Sequence, residues 1–176
     1  AMAEQMDAAY TPVTIENINE KGEPVSQVYE QPPQRVVAVW QNSIETLLAL
    51  GVGDRIVAGM GVPDARYIRP EYRAAYEEIP YTSLEHLDVE TILMMQPDLI
   101  VGWSSTFSSK VLRGTDFWAG RGVHTYIAPS SARGNRNKTI AQEYQDIRNL
   151  GRIFGREERA EELVGAMQNE IEIGRA

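Results

Sequence analysis

Apolar residues fall into two rhythms along this chain. Short runs with little polar alternation recur at 36–40 (VVAVW), 55–60 (RIVAGM), 99–101 (LIV) and 124–128 (HTYIA). Such runs suit parallel strands covered on both faces, where neither side of the strand meets water. Between them the apolar positions repeat with helical spacing. A helix is expected over 43–50, capped by Ser43 and stopped by Gly51, and a tyrosine-rich one over 71–78. Asp88 starts another, with Val89, Ile92, Leu93 and Gln96 on one face, and Pro97 ends it because proline has no N–H to extend the ladder. A weaker helical pattern covers 109–119. Thr139 with Gln142 reads as a capping box for a helix to about 150. The last helix begins after Gly155 and lines up Ala160, Leu163, Val164, Met167 and Ile171.

The first thirty residues follow a different rule. VTIENI (13–18) and PVSQVYE (24–30) alternate apolar with polar and flank the turn residues Asn19, Glu20, Lys21 and Gly22, the pattern of a β-hairpin. Strands alternating with helices predict an α/β fold. The expectation is a three-layer sandwich around a central parallel sheet of about four strands, with an N-terminal β-hairpin. Residues 1–12 are expected to be disordered or foreign to the natural protein. The hairpin would occupy 13–31, the α/β lobe 32–155, and the start of a long helix 156–176. No internal repeat of fixed period and no low-complexity tract interrupts this plan.

Composition narrows the function. The chain has 176 residues, enough for one domain with a core. Its net charge of −8 argues against a nucleic-acid backbone as main partner, which needs a basic footprint. With no cysteine there is no disulfide framework, thiolate metal site or cysteine nucleophile. No apolar run is long enough to span a membrane. The opening AMAEQMDAAY carries no signal peptide, and trimming of one is expected.

Catalytic constellations are missing from the pattern. His86 and His124 have no spaced partners, and both are expected to be structural. GNRNKT (134–139) and GVGDRI (51–56) lack the glycines of phosphate and dinucleotide loops. The ends of the predicted strands are richer. In open α/β sheets ligands bind at the carboxyl ends of the strands. There the chain places Trp40, Gln41, Asn42, Met60, Trp103, Ser104, Ser105 and Ser130, and the loop after the second strand adds Arg66, Tyr67 and Arg69. Two indoles, a thioether, amides, hydroxyls and cations suit a cleft with local positive charge for a large, partly apolar, anionic ligand. The rival reading is an α/β enzyme or cofactor domain that shares only the fold.

Three blocks carry a resemblance: PQRVVAVWQNSIETLLALGVGDRIVAGMG from residue 33, VETILMMQPDLIVGW from 89, and IRNLGRIFGREERAEELV from 147. Together they resemble the amino-terminal lobe of ABC-transporter substrate-binding proteins of the iron-siderophore, haem and vitamin B12 class, over 33–173. The resemblance implies one lobe of a two-lobed binding protein, with the helix from 157 as the connector and the second lobe absent. It implies a ferric siderophore as first choice of ligand, haem as second and cobalamin as third, with no catalysis and no resident cofactor or metal. Glu90 occupies the position at which such proteins dock onto arginines of the membrane permease. Met60 would either ligate haem iron or pack its thioether against a loop. The hairpin looks like versions from Gram-positive bacteria, where these proteins are lipid-anchored at the outer face of the membrane. An isolated lobe with its cleft exposed is also expected to self-associate.

Overall fold

The computed structural model describes residues 10–128 and 140–175, the side chain of the last of these excepted. The hairpin forms as expected, β1 (Val13–Ile18) pairing antiparallel with β2 (Pro24–Tyr29). The chain then enters β3 (Val36–Val39), α1 (Gln41–Ala49) and β4 (Ile56–Met60). A short helix α2 (Arg73–Glu77) leads to β5 (Tyr81–Ser83). Next come α3 (Val89–Met94), β6 (Leu99–Gly102), α4 (Thr115–Ala119) and β7 (His124–Ile127). Two long helices follow, α5 (Ile140–Phe154) and α6 (Glu157–Arg175).

The main sheet is parallel, in the order β5-β4-β3-β6-β7. It therefore has five strands where the apolar runs predicted about four. The missed strand, β5, is short and mostly exposed, and it is held by backbone pairing with Ala58–Met60. An edge strand open to water needs no apolar run, so it left no hydrophobic signal.

Alternation along each buried strand divides the core in two. Val36, Ala38, Leu99, Val101 and Tyr126 face one layer, packed with Ile44, Leu47, Ile147, Leu150 and Val164. Val37, Val39, Ile100 and Ile127 face the other, with Ile92, Phe107, Leu112 and the fully buried Trp118. This period of two, with apolar residues at both phases, makes the sheet the middle of three layers. Asp98 fixes the strand starts: its carboxylate accepts from the backbone N–H of Gln34 (2.7 Å) and Arg35 (2.9 Å), tying β6 to β3.

The hairpin covers the outer edge of β7 by an unusual route. The Asn17 carboxamide donates to the Ile127 carbonyl (2.8 Å) and accepts its N–H (2.9 Å). Gln27 does the same for Thr125, at 2.7 and 3.1 Å. Two side-chain amides thus stand in for a neighbouring strand and satisfy an edge that would otherwise invite pairing. His124 completes the clamp, stacking on Tyr29 at 4.1 Å and donating from Nε2 to the Val28 carbonyl at 2.7 Å.

Helix starts differ from expectation in two places. The first helix begins at Gln41, and Ser43 is no cap but a buried residue inside it. Trp40 stands at the cap position without a side-chain hydrogen bond, and its carbonyl receives the Ile44 N–H. Burial of Ser43 within the helix overrides its capping preference. The 109–119 pattern resolves into the shorter α4, preceded by a 3-10 turn at Ser104–Phe107. Asp88 does cap α3, accepting the Thr91 N–H at 2.7 Å.

Candidate functional site

The strand order places β3 and β6 side by side although the chain visits β4 and β5 between them. This is the switch point, where connections from neighbouring strands leave in opposite directions and open a crevice at the carboxyl ends. Trp40 follows β3 and Trp103 follows β6. Their rings stack at 5.2 Å with an interplanar angle of 29°. Trp103 Nε1 donates to Asn42 Oδ1 at 3.2 Å, which ties the second indole to the first turn of α1. Both tryptophans are half-buried and Asn42 is exposed, so the pair forms a platform at the rim.

Local backbone geometry sets this platform. Trp40 has φ 78° and ψ 153°, a region populated almost only by glycine, at a cost on the order of 1–3 kcal/mol. Its N–H donates to the Met60 carbonyl at 2.7 Å, the last bond between β3 and β4 before the chain turns. Gly61 accommodates the turned ring. It has φ 93°, and a Cβ there would lie 2.8 Å from Trp40 Cε3. Trp40 Nε1 is buried without a hydrogen-bond partner. A strained backbone and an unpaired buried donor are both costly, and such features concentrate where structure serves binding.

The structure brings only some of the predicted residues together. Trp40, Asn42 and Trp103 form one group, with Ser104 and Ser105 in the 3-10 turn directly after Trp103. Gln41 donates to the Tyr67 carbonyl (2.8 Å) and to Glu45 (2.9 Å), so α1 holds the loop that carries the exposed Tyr67 ring. Met60 does not line the rim. Its side chain is fully buried in the core and its sulfur receives the Leu87 N–H at 3.1 Å. Of the two roles expected for Met60, this arrangement is the thioether packed against a loop, away from the rim. The last residue of a central strand points into one layer or the other, and here it points inward.

The expected positive charge of the loop is also corrected. Arg66 forms a two-point ion pair with Asp64, at 3.0 and 2.8 Å, and this guanidinium holds the Asp64 carboxyl down at about 2. Arg69 pairs with Glu71 at 2.9 Å. Arg66 and Arg69 thus each carry their own counter-charge. Ser130 lies outside the described residues. Among the described residues, no group of three or more histidines, cysteines or acids is placed to hold a metal ion, and no helix is long and apolar enough to cross a membrane.

One residue joins the rim that sequence reasoning set aside. His86 is exposed and meets Trp40 edge-on at 5.1 Å. It sits in the loop after β5, the strand that left no apolar signal, so its place beside β3 was invisible. Glu90 is exposed in the first turn of α3.

Comparison with known proteins adds a consistent picture. A family model described as periplasmic binding protein matches residues 36–173. A periplasmic binding protein from Veillonella parvula is 53% identical, with a TM-score of 0.87 over 92% of this chain and 51% of that one. An ABC-type Fe3+-hydroxamate transport protein from Saccharomonospora viridis is 27% identical, with a TM-score of 0.75 over 93% of this chain and 56% of that one. An ABC transporter substrate-binding lipoprotein of Bacillus subtilis, itself uncharacterized, is 24% identical over 91% of this chain and 45% of its own length. The chain thus spans about half the length of the relatives it matches.

Proposed function

The chain belongs to the periplasmic binding protein family, and from that premise we propose that it is one lobe of an extracellular substrate-binding protein of an ABC importer. Its cargo is an iron complex, a ferric siderophore before haem and haem before cobalamin, captured without making or breaking a bond. The observation that carries this reading is the Trp40–Trp103 pair, stacked at the switch point of the sheet. Two parallel indoles give a flat, polarizable surface, Asn42 and His86 stand beside it as hydrogen-bonding groups, and the second lobe closes over them. A ferric siderophore needs such aromatic and polar contacts and no protein ligand to its iron. The buried position of Met60 favours it over a haem bound through this thioether. The 27% identity to a protein named for Fe3+-hydroxamate transport points the same way.

Glu90 docks the loaded protein to arginines of the permease. A carboxylate fixed on the first turn of a helix sets orientation and encounter rate across such an interface. The protein is held at the outer face of the membrane by a lipid anchor, as in Gram-positive bacteria. The isolated lobe, with its platform uncovered, pairs with itself.

The test is a fluorescence titration of the full-length, two-lobed protein with a ferric hydroxamate, haemin and cyanocobalamin. The hydroxamate is expected to quench tryptophan emission, and Trp103→Phe should weaken both quenching and affinity. Unchanged emission and no heat of binding with all three ligands would remove the cargo assignment. Glu90→Arg should leave that titration intact and abolish uptake in cells; normal uptake would end the docking role.

A further inference from the structure

A second hollow lies at the other end of the sheet. Its volume is about 580 Å³, and its lining includes Tyr10, Pro32, Arg55, Arg152, Arg156 and Glu157. Pro32 precedes β3 and Arg55 precedes β4, while Arg152 ends α5 and Arg156 stands between α5 and α6. All of them gather where the strands begin, opposite the tryptophan platform.

The arginines gathered here differ from the ion-paired ones on the chain. Arg66, Arg69, Arg148 and Arg159 each have a carboxylate partner within 3.0 Å. Among the described residues, Arg55, Arg152 and Arg156 have none. Arg55 donates from Nη1 to the Pro33 carbonyl at 2.8 Å, and Arg152 from Nη2 to the Thr14 carbonyl at 3.4 Å. Backbone carbonyls thus orient two guanidiniums without neutralising them, which leaves N–H groups to spare. Glu157 is the one carboxylate on the lining, so the hollow holds two net positive charges in a chain of net charge −8. The Tyr10 hydroxyl adds no negative charge: burial pushes it up to about 12 and it donates to the Ile153 carbonyl at 2.8 Å.

We propose that this hollow is a binding site for a phosphate-bearing anion, held by the forks of Arg55, Arg152 and Arg156. Guanidinium matches phosphate with paired N–H donors, and a doubly charged phosphate matches the net charge of the lining. The volume admits more than inorganic phosphate, so the phosphate belongs to a larger molecule, either soluble or a lipid headgroup.

The full-length protein is titrated calorimetrically with inorganic phosphate and pyrophosphate, and separately by flotation with phosphatidylglycerol and phosphatidylcholine vesicles. Pyrophosphate is expected to bind more tightly than phosphate. Arg152→Gln should weaken it by on the order of tenfold, the loss of one charge-assisted contact. Arg152→Lys, which keeps the charge but not the fork, should fall between. Arg148→Gln, at a paired surface arginine, should change nothing. Binding to phosphatidylglycerol vesicles that is lost in Arg152→Gln assigns a lipid headgroup, and pyrophosphate binding without it assigns a soluble ligand. No binding to either, or binding indifferent to Arg55→Gln and Arg152→Gln alike, overturns the proposal. The hollow is remote from Trp40 and Trp103, so the quenching experiment above stands or falls independently.

Discussion

The outer edge of β7 and the carboxyl rim between β3 and β6 are built on opposite terms. At the β7 edge, every outward backbone group of Thr125 and Ile127 is paired by the amides of Gln27 and Asn17. At the rim, Trp40 holds a backbone conformation suited to glycine and keeps a buried indole N–H unpaired. The first arrangement closes a surface; the second leaves one strained and incompletely paired. Tyr29 is the exception on the closed side, with its ring stacked on His124 but its buried hydroxyl unpartnered. The contrast teaches that the closed edge pairs its backbone groups with side-chain amides, while the rim carries a strained backbone.

The strongest way to break the contrast is Asn17→Leu. It leaves the N–H and carbonyl of Ile127 buried and unpaired, at an expected cost of about 2–4 kcal/mol in denaturant unfolding. A loss under 0.5 kcal/mol, on the order of an ordinary surface change, would mean the amide clamp is not what closes the edge.

Next comes the pH dependence of the same side of the sheet. Tyr126 on β7 donates to Asp146 on α5 at 2.6 Å, and Asn149 donates to Tyr126 at 3.1 Å. Burial pushes the Asp146 carboxyl up to about 7, against the pull of the Tyr126 hydroxyl and with a small push from Glu143. Unfolded, the same group titrates near 3.8. Between these values the folded state holds the extra proton, so its stabilising effect is full below about pH 4 and is lost as pH rises through about 7. Asp146→Asn should remove roughly 2–3 kcal/mol of that slope between about pH 5 and pH 8. A stability profile identical to the parent would show that Asp146 ionises freely in the fold.

Gly61→Ala tests the rim itself. Positive φ costs a side chain roughly 1–2 kcal/mol, and the new Cβ meets the Trp40 ring. Stability should fall by about that much, with a shift in tryptophan emission. An unchanged spectrum would mean the ring is not seated on Gly61. The smallest effect is expected from Trp40→Phe. It removes the unpaired donor along with some buried area, so the two changes offset to within about 1 kcal/mol. A loss above about 2 kcal/mol would show that Nε1 has a partner after all.

Much of the fold was legible because burial writes itself into residue type. The mainly apolar runs of β3, β4, β6 and β7 suit covered strands, and the alternation of β1 and β2 suits a half-exposed hairpin. The carboxyl-end rule places Trp40, Asn42 and Trp103 at one rim of the sheet, where the structure has them. β5 escaped because its residues are mostly exposed, and His86 escaped with it. Ser43 misled because it is buried inside α1 and does not cap it. The charge of the loop was misread because a sequence lists Arg66 and Arg69 without saying that Asp64 and Glu71 turn to meet them.

By itself, then, the order of residues determined the hairpin, four of the five strands of the main sheet, the long helices, and which end of the sheet carries the indoles. Those properties depend on local periodicity and on whether a face meets water. Tertiary structure alone decided that Trp40 and Trp103 stack, that Met60 points inward, that two amides replace a strand at β7, and that three arginines share one hollow. Each of these joins residues remote in the chain. Their distances follow from strand order and crossover path, and no local rhythm of apolar and polar residues records either.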